Sequence, residues 1–214
     1  MARRAPQRRR SSAPRIMLVC EGQTEVGYFK YIAQRLRSSG ISVKAVHDAA
    51  SPMAIVKNTY AYIDGDPKRG IEANQYDQVW AVFDWDEHTK EVREAISWAE
   101  QRGIRIALSN PCFDTWLIWH FDDYMRVGCH AKDTDTKLHA LWSSYRKGAN
   151  NKWEDLGNGL HDASERARKA EQRFARDGID FPDDRPSSQV LTLMDSITEG
   201  WVAAGKPRDS CPVG

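Results

Sequence analysis

The sequence has no apolar run approaching the roughly 20 residues needed to cross a bilayer, and it opens without the apolar core of a secretory signal. Both absences point to a cytoplasmic protein with no membrane anchor. Cysteine is scarce, and Cys20, Cys112, Cys129 and Cys211 form no CxxC pair. A disulfide scaffold and a thioredoxin-like centre therefore have little support, and the thiols read as buried or incidental. The spacing of Cys112, His120, Cys129 and His130 matches no compact zinc finger. Neither GxGxxG nor GxxxxGKS/T occurs, so the chain carries no dinucleotide fingerprint and no Walker A loop, and any ATP dependence has to come from a partner. No GxSxG occurs either, and Cys20 lies within an apolar run, which leaves a Ser or Cys nucleophile without support.

What is present is enough for one compact domain: 214 residues, 41% of them hydrophobic. The net charge of +1 hides an asymmetry. Residues 1–15 hold six arginines (Arg3, Arg4, Arg8, Arg9, Arg10 and Arg15) and no acid, leaving 25 basic against 30 acidic side chains in the remainder. Rich in Ser, Pro and Ala, this stretch cannot bury enough apolar surface to fold alone and reads as a disordered basic arm. Such an arm either neutralises nucleic-acid phosphates, a salt-sensitive and sequence-blind interaction, or is a solvated end with no role.

From Ile16 onward, short apolar runs alternate with longer helical patterns, as in a parallel sheet with crossover helices. Ile16–Cys20 is too short for a helix and reads as a buried strand stopped by Glu21-Gly22. Thr24 is a candidate N-cap for a helix carrying Val26, Phe29, Ile32 and Leu36 to the break at Gly40. A strand around Ile41–Val46 follows, and Ser51-Pro52 opens a second helix to about Tyr62. Val79–Phe83 is the strongest buried strand, followed by a helix over 89–102, a fourth strand over 104–108 and an apolar helix over 113–121. Amphipathic stretches lie at 135–145, 161–176 and 187–198, with a Gly/Asn-rich break over 148–159 and no strand signal. The expected organisation is a basic arm (1–15), an α/β core (16–125), a helical extension packed on it (126–200) and a flexible tail (201–214).

In open parallel sheets, ligands gather at the carboxyl ends of strands. Here those ends carry acids: Glu21 after the first strand, Asp84 and Asp86 after the third, and Asn110 and Asp114 after the fourth. Alternation along an extended segment sends Asp84 and Asp86 to one side and Trp85 to the other. Two carboxylates together suit magnesium, which takes oxygen ligands, keeps several waters and is commonly completed by substrate phosphate. An acid at a strand end is, equally, an ordinary helix cap or solvated turn residue. The combination with Glu21 is what favours a site.

Val19-Cys20-Glu21-Gly22-Gln23-Thr24-Glu25 resembles the first-strand signature of Toprim domains, and Val82-Phe83-Asp84-Trp85-Asp86 resembles their DxD motif. More specifically, CEGQTEVGYF, VWAVFDWDEH, SNPCFDTWLIWHF and Tyr145-Arg146-Lys147-Gly148 resemble the RloB-like family, which overlaps the AbiL type of phage-defence proteins, over about residues 16–198. The resemblance implies a Toprim-like (Rossmann-like) α/β fold with a helical C-terminal extension. It also implies a nuclease dependent on Mg2+ (or Mn2+), acting in bacterial antiphage defence beside an ATPase encoded nearby. Glu21 inherits the general acid or base role, and Asp84 and Asp86 the metal. Glu21 also belongs to the metal set, and Asp114 joins it as a further metal or water ligand. Lys147 is the candidate cation near the scissile phosphate. A homo-oligomer is compatible with this reading, and DNA, tRNA and other RNA all stay open as substrates.

Other residues divide between roles. Glu25, in the first turn of the first helix, is either a partner of the helix dipole or a member of the acid cluster. His88 and His120 read as structural before they read as site residues. Trp80, Trp116 and Trp119 lie inside apolar runs and read as core rather than as base-stacking platforms. Arg166, Arg168, Lys169 and Arg173 form a partner surface, a substrate wall or merely a solvated helix face. Two other functions compete with a nuclease: a non-catalytic sensor or effector subunit binding a partner ATPase and phosphorylated ligands, and hydrolysis or transfer on a small phosphorylated metabolite.

Overall fold

A computed structural model describes residues 13–48, 50–85, 89–157 and 159–213. It is an α/β protein of Rossmann-like architecture, with strands β1 (Arg15–Cys20), β2 (Ser42–His47), β3 (Gln78–Asp84), β4 (Arg105–Asn110) and β5 (Ser187–Ser188) in one sheet. The order is β2-β1-β3-β4-β5, with β5 alone running antiparallel. The helices among the described residues are α1 (Gln23–Arg35), α2 (Pro52–Asp64), α3 (Thr89–Glu100), α4 (Asp114–Trp119), α5 (Ala131–Leu141), α6 (Gly159–Arg176) and α7 (Val190–Ala203). None is long and apolar enough to cross a membrane.

Strands buried on both faces read as continuous apolar runs, and β1 and β3 do so because helices cover each side. Ile16, Leu18, Cys20, Trp80 and Val82 face one layer, built from α1, α4, α6 and α7. Met17, Val19, Val79, Ala81 and Phe83 face the other, built on Ile55 and Val56 of α2 and Val92, Ala95 and Ala99 of α3. The C-terminal helices thus complete the sandwich: they share one apolar core with β1, and α7 lies against β4. Trp80, Trp116 and Trp119 are buried core, as their sequence setting indicates.

Four local features differ from the sequence reading. Thr24 does not cap α1; Gly22 does, and Thr24 sits inside the helix, where its Oγ1 accepts from the Gly148 N–H at 2.8 Å. Arg15, assigned to the arm, starts β1 and donates its N–H to Asp77 Oδ2 at 2.7 Å. The rest of the arm, up to Ser12, lies outside the described residues. A strand stands where none was expected: Ser187 and Ser188 pair with Asn110 and Ser109, and the Ser109 and Ser188 hydroxyls meet at 2.8 Å. Finally, the tail packs. Cys211 and Val213 are buried in the core around α1 and α7, and Arg35 Nε donates to the Pro212 carbonyl at 3.0 Å.

Candidate functional site

The strand order reverses between β1 and β3, since β2 lies on one side of β1 and β4 on the far side of β3. A crevice opens at such a switch point, outside the carboxyl ends of the strands. Glu21 and Asp84 stand at these two ends. They are joined directly: Glu21 Oε2 accepts from the Asp84 backbone N–H at 3.0 Å, while the Glu21 N–H donates to Val82 O at 2.9 Å. Both side chains are half-buried. Asp86 and His88 lie outside the described residues, so the sequence-based placement of Asp86 beside Asp84 is not part of the observed geometry.

Glu25 belongs to this group. It lies one turn into α1, only 4% exposed, and burial pushes its carboxyl up to about 7, with the charges of Glu21 and Asp114 adding to the rise. Its own backbone N–H and Lys147 oppose that rise. The capping glycine is explained by the same carboxylate. A Cβ on Gly22 would lie 2.4 Å from Glu25 Oε2, so a side chain there would displace Glu25. Gly22→Ala is accordingly expected to push the Glu25 carboxylate aside and bring its pKa back toward the ordinary range with little change in melting temperature, measured by NMR titration of the Glu25 carboxyl beside thermal unfolding.

Asp114, the first residue of α4, is 2% exposed. Burial raises its pKa, opposed by a hydrogen bond from Tyr145 and by the charge of Lys147. Tyr145 OH donates to Asp114 Oδ1 at 2.8 Å, and Asp114 Oδ2 is buried with no hydrogen-bond partner among the described residues. The segment carrying Lys147 is held from both sides, by Tyr145 on Asp114 and by Gly148 on Thr24. Lys147 is exposed, yet its charge reaches Glu25, Asp114 and Cys112. Cys112, whose thiol burial pushes up, also feels Asp84 and Asp114. Glu21, Glu25, Asp84, Asp114 and Lys147 therefore share one electrostatic neighbourhood at the carboxyl edge of the sheet. Sequence reasoning left Glu25 undecided and did not single out Thr24 or Tyr145 as supports of the site. The signal it lacked was a pairing across the chain.

Two observations bear on whether these residues fit a divalent cation. Among the described residues, no group of three His, Cys, Asp or Glu side chains is gathered closely enough to hold a metal by itself. The donors are nevertheless hard oxygens, Asp114 Oδ2 is a buried acceptor without a donor among the described residues, and Glu25 is raised by burial with the charges of Glu21 and Asp114 adding to it. Magnesium commonly rests on one or two carboxylates with water and substrate phosphate completing its shell. The set fits that mode and not a closed all-protein cage.

The four cysteines and His120 resolve as structural. All four cysteines are free and buried. His120 is 5% exposed and sits between Tyr28 and Trp116. Trp116 Nε1 donates to Tyr28 OH at 2.8 Å, and the same hydroxyl lies within hydrogen-bond reach of His120 Nε2 at 3.3 Å. Burial, with the charge of Arg166, lowers its pKa to about 3. The folded value lies below the unfolded 6.5, so the stability this neutral ring contributes is lost as pH falls from 6.5 toward 3, at up to about 1.4 kcal/mol per pH unit. His120→Gln, whose amide oxygen can accept from Tyr28, is expected to flatten that slope relative to wild type. Denaturant melts at pH 7, 5.5 and 4 would measure it, and an identical slope in both proteins would refute it.

The molecule is a layered α/β protein with acids gathered at the switch point of its sheet, at the carboxyl ends of β1 and β3. The family described as RloB-like protein matches residues 16–197, and the chain belongs to it. No curated protein and no solved structure gives a significant match.

Proposed function

We propose that the protein is a Toprim-type, metal-dependent phosphodiesterase acting on nucleic acid, serving as an effector of AbiL-type bacterial antiphage defence together with a partner ATPase. The observation that carries this reading is the direct link between Glu21 and Asp84 at the switch point, with the charge of Lys147 reaching the neighbouring Glu25 and Asp114. Asp84 and Asp86 would hold Mg2+ or Mn2+, with Asp114 as a further oxygen donor. Bound there, the cation would polarise the phosphodiester and stabilise the leaving oxygen. Glu21, oriented by the Asp84 N–H on Oε2, would take a proton from the attacking water or return one to the leaving group. Lys147, exposed at the rim, attracts the phosphate and offsets charge that builds in the transition state. The arginines of residues 1–12 add sequence-independent affinity for the backbone. Deleting them is expected to weaken binding mainly at low salt, a difference that titrations at two ionic strengths would detect.

The direct test is cleavage of a panel of DNA, tRNA and total RNA with Mg2+ or Mn2+, with and without the ATPase encoded nearby. Cutting that requires the metal supports the proposal. Metal binding without any cutting would favour a non-catalytic sensor subunit. The metal itself is tested separately: saturating Mg2+ at about 100 times its Kd stabilises by about 2.7 kcal/mol, which at this size raises the melting temperature by on the order of 5 to 10 °C. Asp84→Asn with Asp86→Asn should remove the shift. Persistence of the full shift in that double variant would place the cation elsewhere.

A further inference from the structure

Charge is distributed unevenly along the chain. Residues 1–47 carry ten basic side chains and two acids, Glu21 and Glu25, both at the site, leaving 21 basic against 28 acidic side chains in the rest. The ten are not confined to the arm. Lys30 and Arg35 lie on α1, Arg37 just beyond it and Lys44 on β2, and residues 26–47 contain no acid. Because β2 is an edge strand, this stretch forms one open flank of the molecule. A groove of about 560 Å3 runs along that flank, between Lys30, Gln34 and Arg37 on one side and residues 40–43 on the other. Those three side chains are exposed, and among the described residues no acid lines the groove.

Lys30, Arg37 and Lys44 form no ion pair among the described residues, whereas Arg15, at the start of β1, is paired with Asp77 at 3.6 Å. Lys206 adds an ammonium at the same corner, where its Nζ donates to the Ser38 carbonyl at 3.0 Å. Glu199, next to Gly200 against Pro14, is an exposed acid near this corner and stays outside the lining. The arm joins the body here. Pro14 O accepts from the Ser42 N–H at 3.0 Å, and a Cβ on Gly40 would lie 3.3 Å from Ala13 Cβ. The five arginines of residues 1–12 are therefore tethered where Gly40 and Ser42 line the groove. Cations without counter-charges, in a row that an arginine-rich arm extends, suit a polyanion whose own charges stand in a row. A protein partner fits less well, because protein interfaces rest on desolvated apolar or aromatic anchors. The large apolar side chains exposed among the described residues, Val127, Phe181 and Val202, do not line the groove. Lys44 on the open strand also discourages the addition of a peptide strand.

We propose that the groove between α1 and β2, continued by the arm, is a docking surface for the sugar–phosphate backbone of nucleic acid, separate from the acid site. Nucleic acid as the partner rests on the proposed function; the groove rests on charge and exposure. α1 begins two residues after Glu21, so Lys30 and Arg37 stand about 10 and 20 Å along the helix direction from its start. That is roughly three to six base pairs of a duplex. The surface thus holds the strand at a distance from the acids and favours substrates long enough to reach both.

The test uses the full chain without divalent metal, so that the probe stays uncut, and a fluorescent oligonucleotide as a single strand and as a duplex, in DNA and RNA, over a series of salt concentrations. Lys30→Gln with Arg37→Gln is expected to weaken binding by about 10- to 100-fold near 50 mM salt. It should also reduce the slope of log affinity against log salt by about 1.5 to 2, as two phosphate contacts are lost. Lys90→Gln with Lys132→Gln makes the same change of charge on exposed positions of α3 and α5, and should leave the slope within about 0.5 of wild type. All four positions are exposed, so neither pair should alter the melting temperature. An unchanged slope in the Lys30 and Arg37 variant, an equal fall in the control pair, or no binding of nucleic acid by the wild type would overturn the proposal. So would unaltered nucleic-acid binding with loss of the ATPase from pull-downs, which would assign the groove to a protein. Metal-dependent hydrolysis of bis(p-nitrophenyl) phosphate, too small to reach from the acids to the groove, separates the two readings. Hydrolysis with an unchanged slope removes the groove and keeps the nuclease; a reduced slope without hydrolysis of any phosphodiester keeps the groove and removes the nuclease.

Discussion

Glu21→Gln is expected to lower metal-dependent phosphodiester cleavage by about 10^2- to 10^4-fold, the range for loss of a positioned general acid or base. The change is nearly isosteric. A glutamine carbonyl can still accept from the Asp84 N–H, so the link between the ends of β1 and β3 survives while the charge and the titrating oxygen are lost. The melting temperature without metal should therefore hold within about 2 °C, since a replaced surface-edge group away from core packing changes stability by about 0.5 kcal/mol. A rate constant within threefold of wild type, in single-turnover assays on the substrate identified by the panel, would remove Glu21 from the chemistry. Loss of rate accompanied by a large fall in melting temperature would mean that the carboxylate is structural. Lys147→Ala is the useful companion. Lost phosphate attraction should raise KM, an effect that shrinks as salt rises, and lost stabilisation of transition-state charge should lower kcat as well.

The second large effect is on stability. Gly159→Ala is expected to cost about 2 to 3 kcal/mol and to lower the melting temperature by roughly 5 to 10 °C. Gly159 is buried at the start of α6, and a Cβ there would lie 2.5 Å from the His120 carbonyl oxygen and 3.2 Å from His120 C and Cα. The obstruction is backbone, which cannot rotate aside as a side chain would. Backbone freedom is not the reason for this glycine, because its φ is not in the left-handed region; the reason is the close approach of α6 to the end of α4. Any shift of that end is transmitted along the six-residue α4 to Asp114 at its beginning, so the variant should also lose activity beyond what its folded fraction explains. Thermal unfolding and activity normalised to folded protein would decide it. An unchanged melting temperature would show that the two helices separate without cost.

Much of the architecture was legible because β1 and β3 are buried on both faces and so are written as unbroken apolar runs, and because polar punctuation follows each of them. The acids at their ends were legible for the same reason: Glu21 and Asp84 are the first polar residues after those runs. What stayed hidden depends on contacts between distant parts of the chain. Ser187-Ser188 is too short and too polar to carry a period-2 pattern, and becomes a strand only because Ser109 and Asn110 are beside it. Thr24 has the composition of a cap, but its hydroxyl serves Gly148, 124 residues away. Glu25 could be placed on α1 by periodicity, whereas its raised pKa reflects burial in the fold together with the charges of Glu21, Asp114 and Lys147 from other parts of the chain. The packing of Cys211 and Val213 had no local sign, since two isolated apolar residues among polar ones look like a free end.

The clamp on the Lys147 segment also bears on the order in which the molecule becomes competent during its synthesis. Glu21 and Asp84 can meet once β3 has paired with β1, but Tyr145 and Gly148, which close onto Asp114 and Thr24, emerge about sixty residues later. A nascent or truncated chain ending before residue 145 would carry the acidic pair with neither the tyrosine that holds Asp114 nor the lysine that offsets its charge. For a protein whose proposed activity would damage the cell that makes it, competence arrives only when the greater part of the chain has been made.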